Sequence, residues 1–226
     1  MCLIGEMLRL YLDVETYRPR KDEAFVNEVV IAIGVIEDST PYSPEYAKVW
    51  SEPDVVFKFF TLWDVNGESV DEKVLVSKFY KYLKKLVDDN KSKHIKFLNV
   101  VGFNILRYDV PLLIQKGVEY GVASLRELNA LWHSLFTIDY FQTSLPFHGM
   151  RFKGLKLELI AEWAKRAGVE IPEPYGSGKD VVQWFENKQY DDIIKHLEND
   201  LKITRVIDLN SMGIYRAVWN NFRVDQ

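Results

Sequence analysis

Four acidic residues, spread over most of the 226-residue chain, are the strongest candidates for chemistry in this sequence. They are Asp13 and Glu15 in Leu-Asp-Val-Glu-Thr, Asp109 in Arg-Tyr-Asp-Val-Pro, and Asp200 in His-Leu-Glu-Asn-Asp. The local structure predicted around each residue directs all four side chains toward one place, where carboxylates repel one another unless a cation lies between them. Because carboxylate oxygens suit Mg²⁺ and Mn²⁺, the sequence predicts a site for divalent metal ions.

The first two acids are separated by one residue in a predicted β-strand, residues 8–15, where apolar and other residues alternate. Side chains two residues apart on a strand lie on the same face, so Asp13 and Glu15 are expected to point together. They stand at the end of an otherwise apolar strand, where a buried charge is costly without a partner. This position favours a bound cation as that partner.

Asp109 begins a predicted helix over residues 109–120, with Pro111 in the first turn, where proline is tolerated. Asn104 lies five residues earlier, in a turn after a strand predicted over residues 94–103, and its amide is placed to orient a substrate. Two interpretations of Asp109 stay open. Asp commonly caps helix N-termini, and a carboxylate at this turn also suits a metal ion.

His196 and Asp200 lie four residues apart on a helix predicted over residues 191–212, so they share one face. The charged residues around them allow the interpretation of a solvated helix face. The alternative is a metal-binding carboxylate beside an imidazole that accepts a proton from water, a role that suits histidine near neutral pH.

Composition limits the class of protein. Hydrophobic residues make up 47% of the chain, as in globular proteins, and the single cysteine, Cys2, excludes an intramolecular disulfide and a cysteine-only zinc site. We expect a cytoplasmic protein without a membrane span or a secretory signal. The net charge of −4 argues against a sequence-reading DNA-binding protein, but not against an enzyme that touches few phosphates and holds cations.

The hydrophobic periodicity predicts strands followed by helices, in one domain over residues 1–226. Further strands are predicted over residues 28–36, 55–60 and 135–139, and a surface loop over 38–53. Further helices are predicted over 70–88, 155–167 and 179–187, with capping boxes at Ser69–Glu72 and Ser124–Glu127. This order favours an α/β fold with a mixed sheet flanked by helices.

In order and spacing, the acidic segments resemble the motifs of the DEDD superfamily of 3′–5′ exonucleases, which have a ribonuclease H-like fold. Residues 13–16 (Asp-Val-Glu-Thr), 104–111 and 196–204 match the three motifs, and residues 137–141 and 177–181 carry further similar residues. The chain looks closest to the proofreading exonuclease domains of family B DNA polymerases and their stand-alone relatives, over residues 8–204.

The resemblance implies two-metal hydrolysis of terminal phosphodiesters of DNA, at single-stranded or frayed 3′ ends, with Mg²⁺ or Mn²⁺ as the cofactor. Asp13 would bind both ions, and Glu15, Asp109 and Asp200 would complete the two shells. The resemblance also implies four substrate-binding residues beside the first two motifs: Thr16, Tyr17, Asn104 and Tyr108.

One position departs from the family pattern. The polymerase branch usually has tyrosine four residues before the last aspartate, and the histidine branch places its histidine one residue further away, whereas this chain has His196 at the tyrosine spacing. We predict that His196 orients or deprotonates the attacking water, with the four acids as metal ligands.

Other functions remain open. The same fold would suit a catalytically weak nucleic-acid-binding or polymerase-accessory module, or an RNA-directed 3′–5′ exonuclease. The expected partner is single-stranded DNA, with a role in repair or beside a replication partner. Residues 147–153 interleave aromatic and basic side chains, which suits single-stranded nucleic acid, although an ordinary surface loop with hydrophobic anchors has the same pattern.

Overall fold

The computed structural model of the protein describes residues 7–18, 25, 27–39, 55–92 and 97–224. Nearly all of the loop predicted over residues 38–53 lies outside these ranges, as do Cys2 and His94. Among the helices inside them, none has both the length and the apolar character needed to cross a membrane.

Within the described ranges, five strands form one mixed sheet. They are β1 (Met7–Tyr17), β2 (Val29–Asp38), β3 (Val56–Thr61), β4 (Phe97–Gly102) and β5 (Phe136–Asp139). Their order across the sheet is β3-β2-β1-β4-β5. Strand β2 is antiparallel to both β1 and β3, whereas β4 is parallel to β1 and β5 is parallel to β4. Helices flank this sheet, which confirms the predicted α/β class and is consistent with a ribonuclease H-like arrangement.

The helices follow the predicted order. They are α1 (Glu72–Ser92), α2 (Asp109–Glu119), α3 (Leu125–His133), α4 (Tyr140–Ser144), α5 (Leu157–Arg166), α6 (Gly178–Glu186) and α7 (Tyr190–Val224). Two predicted boundaries are wrong. Helix α7 continues well past Met212, because burial of Ile214 outweighs the poor helix propensity of Gly213. The sequence also predicts a loop over residues 142–154, but α4 and a 3₁₀ turn (Pro146–His148) occupy the start of that segment.

The two predicted capping boxes have different outcomes. Ser124 and Glu127 form theirs, with the hydroxyl accepting from the Glu127 N–H and the Glu127 carboxylate accepting from the Ser124 N–H. The box at residues 69–72 is wrong, because Asp71 accepts the N–H of Lys73 instead. The Glu72 carboxylate accepts hydrogen bonds from the Val30 N–H and the Tyr120 hydroxyl. It therefore joins α1 to β2 and to the residue that follows α2.

Strand alternation divides the core into two layers, one on each face of the sheet. Leu10, Leu12 and Val14 of β1 pack with α1, α2 and α3, whereas Tyr11 packs with α4 to α7. Because residues two apart share a face, Asp13 and Glu15 point to the same side as Tyr11. The first acidic pair therefore faces the layer that contains α7.

A buried charged cluster fixes α7 against β1. Arg9 lies 3.5 Å from Asp38 and 3.6 Å from Asp208, and Arg205 contacts Asp38 at 2.8 Å. The Tyr11 hydroxyl donates to Asp208 over 2.7 Å. Asp208 lies two helical turns beyond the third acidic segment, and Tyr11 lies two residues before the first. These contacts therefore set the position of the helix that carries the third segment.

Candidate active site

The site lies at the carboxyl ends of the parallel strands. Pairing of β1 with β4 ends at Tyr11 and Val101, while β1 continues along β2 with Asp13 opposite Gly34. After β4, residues 103–108 form a turn that leads to α2, which begins at Asp109. The first two acidic segments therefore meet at one edge of the sheet, the usual place for a site in open α/β sheets.

Helix α7 reaches the same edge because β2 has a glycine where the two cross. A β-carbon at Gly34 would lie 2.7 Å from Leu197 Cγ and 2.8 Å from Leu201 Cδ1, which is too close for any other residue unless these leucine side chains or the helix move. Because Gly34 is paired with Asp13, this close crossing places His196 and Asp200 beside the first acidic pair.

His196 is buried and directed at the acids. Its Nδ1 lies 2.5 Å from the Tyr175 carbonyl oxygen, and its Nε2 lies 3.3 Å from Glu15 Oε1 and 3.8 Å from Asp200 Oδ2. A carbonyl oxygen only accepts hydrogen bonds, so Nδ1 carries a proton and Nε2 is the atom that faces the carboxylates. The ring is 5% exposed, which makes the interpretation of a solvated helix face wrong for this residue.

Asp109 is the first residue of α2 and is buried, whereas Tyr108 occupies the N-cap position without a side-chain capping bond. The interpretation of Asp109 as the helix cap is therefore wrong. The Val14 N–H faces the Asp109 carboxylate and opposes the rise of its pKa, so the start of α2 lies beside β1 between the residues of the first acidic pair. The second acidic segment therefore lies next to the first.

The four carboxylates lie close enough together that their charges shift one another's pKa values. Burial raises the pKa of Glu15 well above its usual value, and Asp13, Asp200 and Asp109 raise it further. Burial, and then Asp13, raise the pKa of Asp109. Burial raises the pKa of Asp13 as well, although His196 opposes that rise. Such a cluster holds protons more readily than separate acids do.

Asp200 is affected in the same way. Burial, followed by the charges of Asp13 and Glu158, raises its pKa from 3.8 to about 8. Glu158, on α5, is an acid that the sequence patterns did not identify. Its chain neighbours are the apolar residues of an amphipathic helix, so no local signal indicates that it contributes to the site.

The donor set fits hard divalent cations, because all four candidate ligands supply carboxylate oxygens. Within the described ranges, however, no three His, Cys, Asp or Glu side chains are close enough together to form a finished metal shell. His196 Nε2 stands between Glu15 and Asp200 instead. Any shell formed by these acids therefore requires side-chain movement, and their role as ligands stays a prediction.

A cleft of about 730 Å³ opens from Glu15 and is lined by three of the predicted substrate contacts, Thr16, Asn104 and Tyr108. Asn104 has a left-handed backbone conformation, with a φ of 63°, which asparagine tolerates. Its buried Oδ1 has no hydrogen-bond partner among the described residues. A buried acceptor of this kind on the wall of a cleft suits a ligand donor.

Tyr17, the fourth predicted contact, is placed elsewhere. Its hydroxyl donates to Glu186 over 3.0 Å, and its ring lies 5.1 Å from that of Phe185, centroid to centroid. Both partners belong to α6, and Tyr17 does not line the cleft. The structure therefore brings three of the four predicted substrate contacts together.

Glu28 is a cleft residue that the sequence patterns missed. Its buried carboxylate accepts hydrogen bonds from the hydroxyls of Thr16, over 2.8 Å, and of Tyr108. It also accepts the Phe25 N–H, and Arg18 lies 3.9 Å away. No local pattern identifies Glu28, because Tyr108 is 80 residues away in the chain. It fixes the positions of two of the predicted substrate contacts.

No protein-family model matches the chain, and a search of curated proteins finds no match. Among solved structures, the chain is similar to the family B DNA polymerase from the hyperthermophilic archaeon Pyrobaculum calidifontis, with a TM-score of 0.55 at 17% sequence identity. The similarity covers 88% of this chain and 24% of that polymerase, so the chain spans about a quarter of its length. At this identity the similarity shows a polymerase-related fold and no activity.

Proposed function

We propose that this chain is a metal-dependent 3′–5′ exonuclease that hydrolyses terminal phosphodiesters of DNA. The observation that carries this proposal is the convergence of Asp13, Glu15, Asp109 and Asp200 with His196 at one sheet edge, next to a cleft that Glu15 lines. The four acids are spread over nearly 190 positions of the chain, and the fold gathers them at one sheet edge. Structural ion pairs do not explain four neighbouring acids, whereas a nuclease requires such a set.

The four carboxylates would hold two Mg²⁺ or Mn²⁺ ions, which supply an activated water and stabilise the leaving oxygen when bound. His196 is placed to take the proton of the attacking water at Nε2, because the Tyr175 carbonyl keeps the other ring nitrogen protonated. Burial of the ring limits its rotation, so Nε2 stays directed at Glu15 and Asp200.

Thr16, Asn104 and Tyr108 are the residues we assign to the terminal nucleotide. They line the cleft next to Glu15, and Asn104 Oδ1 offers a buried acceptor to a base or sugar. The 3′–5′ direction comes from the family resemblance. The solved neighbour is a DNA polymerase, which favours DNA over RNA as the substrate.

The test is cleavage of single-stranded DNA, duplex DNA and single-stranded RNA carrying a 5′ label, each with Mg²⁺, Mn²⁺ or EDTA. We expect products that shorten stepwise from the 3′ end of single-stranded DNA, with no cleavage in EDTA. Asp13→Asn should lose at least about 10³-fold in rate, the scale of essential catalytic groups, while keeping a cooperative unfolding transition. Asp88→Asn, an exposed acid on α1, is the matched control and should cleave normally.

The outcomes separate the rival functions. Faster shortening of RNA than of DNA would assign the site to RNA. Binding without metal-dependent cleavage would identify a nucleic-acid-binding module. Full cleavage by Asp13→Asn would refute the proposed use of the four acids.

A further inference from the structure

A row of aromatic side chains leads from the sheet edge to the outside of the cleft. Phe103 follows β4, Phe141 lies on α4, and Phe152 lies in the segment before α5. The rings of Phe103 and Phe141 meet edge to face at 5.7 Å, and those of Phe141 and Phe152 are stacked at 6.1 Å with an interplanar angle of 28°. All three residues line the cleft.

The outer end of this row differs from the rest in exposure. Phe141 is 5% exposed, whereas Phe152 is 57% exposed. Exposure of one phenylalanine is common in soluble proteins and indicates nothing alone. Phe152, however, lies on the wall of a cleft and continues a row of two packed rings, and this placement needs an explanation.

A cation accompanies the exposed ring. The guanidinium carbon of Arg107 lies 5.1 Å from the centroid of the Phe141 ring and 5.4 Å from that of Phe152. Arg107 is itself exposed and lines the cleft. An aromatic face beside a guanidinium group is the combination that binds single-stranded nucleic acid, through base stacking and a phosphate contact.

The other aromatic residue of the same segment has a different environment. Phe147 is stacked on Tyr215 of α7 with ring centroids 4.5 Å apart, and Trp219 meets it edge to face at 6.5 Å. Phe147 does not line the cleft. The interpretation of residues 147–153 as a loop with hydrophobic anchors therefore holds for Phe147, whereas the interpretation as a nucleic-acid contact stays a prediction for Phe152.

We propose that Phe152 and Arg107 form a binding site for a nucleotide of the single strand that precedes the terminal one. This inference rests on the proposed function, which places the terminal nucleotide at Thr16, Asn104 and Tyr108. The preceding base stacks on the exposed ring of Phe152, and the Arg107 guanidinium binds a backbone phosphate. Stacking of this kind tolerates any base, so the site fits a strand of any sequence.

The test measures binding apart from cleavage, by fluorescence anisotropy of a labelled single-stranded DNA decamer with Asp13→Asn protein in Mg²⁺. Adding Phe152→Ala should weaken binding about 5- to 100-fold, the loss typical of one stacked base. Phe152→Trp should restore it. Met150→Ala is the matched control, because Met150 is 61% exposed in the same segment but does not line the cleft.

An abasic scan locates the contact. The scan uses a set of decamers, each of which lacks the base at a different position. With Asp13→Asn protein in which Phe152 is intact, we expect weaker binding when the missing base lies at one position upstream of the 3′ nucleotide. That abasic decamer should lose no further affinity when Phe152→Ala is added, because the base that stacks on the ring is already absent. Arg107→Ala should lower the slope of log affinity against log salt by about 0.7, the value for one phosphate contact on a single strand.

Two results would overturn the proposal: unchanged binding by Phe152→Ala protein that unfolds normally, or equal losses with every abasic decamer. Both are independent of cleavage. Absence of cleavage by the unsubstituted protein would refute the exonuclease function, while coupling between Phe152 and one abasic position would still support the binding site.

Discussion

Replacement of Asp200 by asparagine is expected to stabilise the folded protein while removing a predicted metal ligand. Burial and the charges of Asp13 and Glu158 raise the pKa of Asp200 from 3.8 to about 8. One pKa unit corresponds to about 1.36 kcal/mol, so the acid costs the fold at most about 6 kcal/mol near pH 8. Asparagine still buries a polar amide, and we expect a net gain of about 1–3 kcal/mol.

The sign of the pH dependence follows from the direction of this shift. The folded protein holds the Asp200 proton up to about pH 8, whereas the unfolded chain releases it near the ordinary value of 3.8. Between those values the folded state binds more protons, so the stability of the unsubstituted protein falls as the pH rises through this window. The advantage of Asp200→Asn is therefore absent below about pH 4 and largest near pH 8.

Thermal unfolding in EDTA near pH 5 and pH 8 measures this effect. A gain of about 1–3 kcal/mol raises the Tm of a domain of this size by roughly 3–10 °C, and the rise should be smaller near pH 5. Asp88→Asn, at an exposed position of α1, should stay within about 0.5 kcal/mol at both values. A Tm for Asp200→Asn equal to or below that of the parent near pH 8 would refute the electrostatic reasoning.

Three further variants test other parts of the structure. We expect His196→Tyr to cleave DNA with an altered pH–rate profile, because a tyrosine hydroxyl titrates near 10; identical profiles would exclude the imidazole from proton transfer. Glu28→Gln should raise KM about 3- to 10-fold with a smaller change in kcat, since it weakens charge-assisted hydrogen bonds to two cleft hydroxyls, and a change confined to kcat would contradict a positioning role. Asp38→Ala should lose about 3–5 kcal/mol of stability in urea unfolding, because Arg9 and Arg205 share its buried carboxylate; a loss under 1 kcal/mol would show that the cluster has little effect on stability.

His196 shows where sequence patterns fail at the site. Its neighbours on the chain include Lys195 and Glu198, which indicate a helix face in water. Its burial depends on how closely α7 crosses β2, and that distance depends on Gly34, more than 160 positions away. No local pattern contains that information.

Asp109 and Glu28 show the same limit in two other forms. The sequence allows Asp109 to be a helix cap or a ligand, and the choice depends on how α2 packs beside β1, which buries the Asp109 carboxylate near the Val14 N–H. Glu28 is one charged residue at the start of an apolar strand, and only folding brings the Thr16 and Tyr108 hydroxyls to it.

The sequence alone determined the features that depend on neighbours in the chain. Apolar periodicity predicts most strands and helices, because a pleat of two residues and a turn of 3.6 residues decide which side chains can be buried together. The same geometry aligned Asp13 with Glu15 and His196 with Asp200. It also supported the α/β class.

Only the tertiary structure decided how these pairs meet. Contacts between distant residues set the crossing of α7 and β2, the buried cluster around Asp208, and the cleft beside Glu15. The pKa shifts of the four acids have the same origin, because desolvation and repulsion depend on distance in space and not on separation along the chain. The spacing of residues therefore predicts which acids are candidates, and packing decides that they form one site.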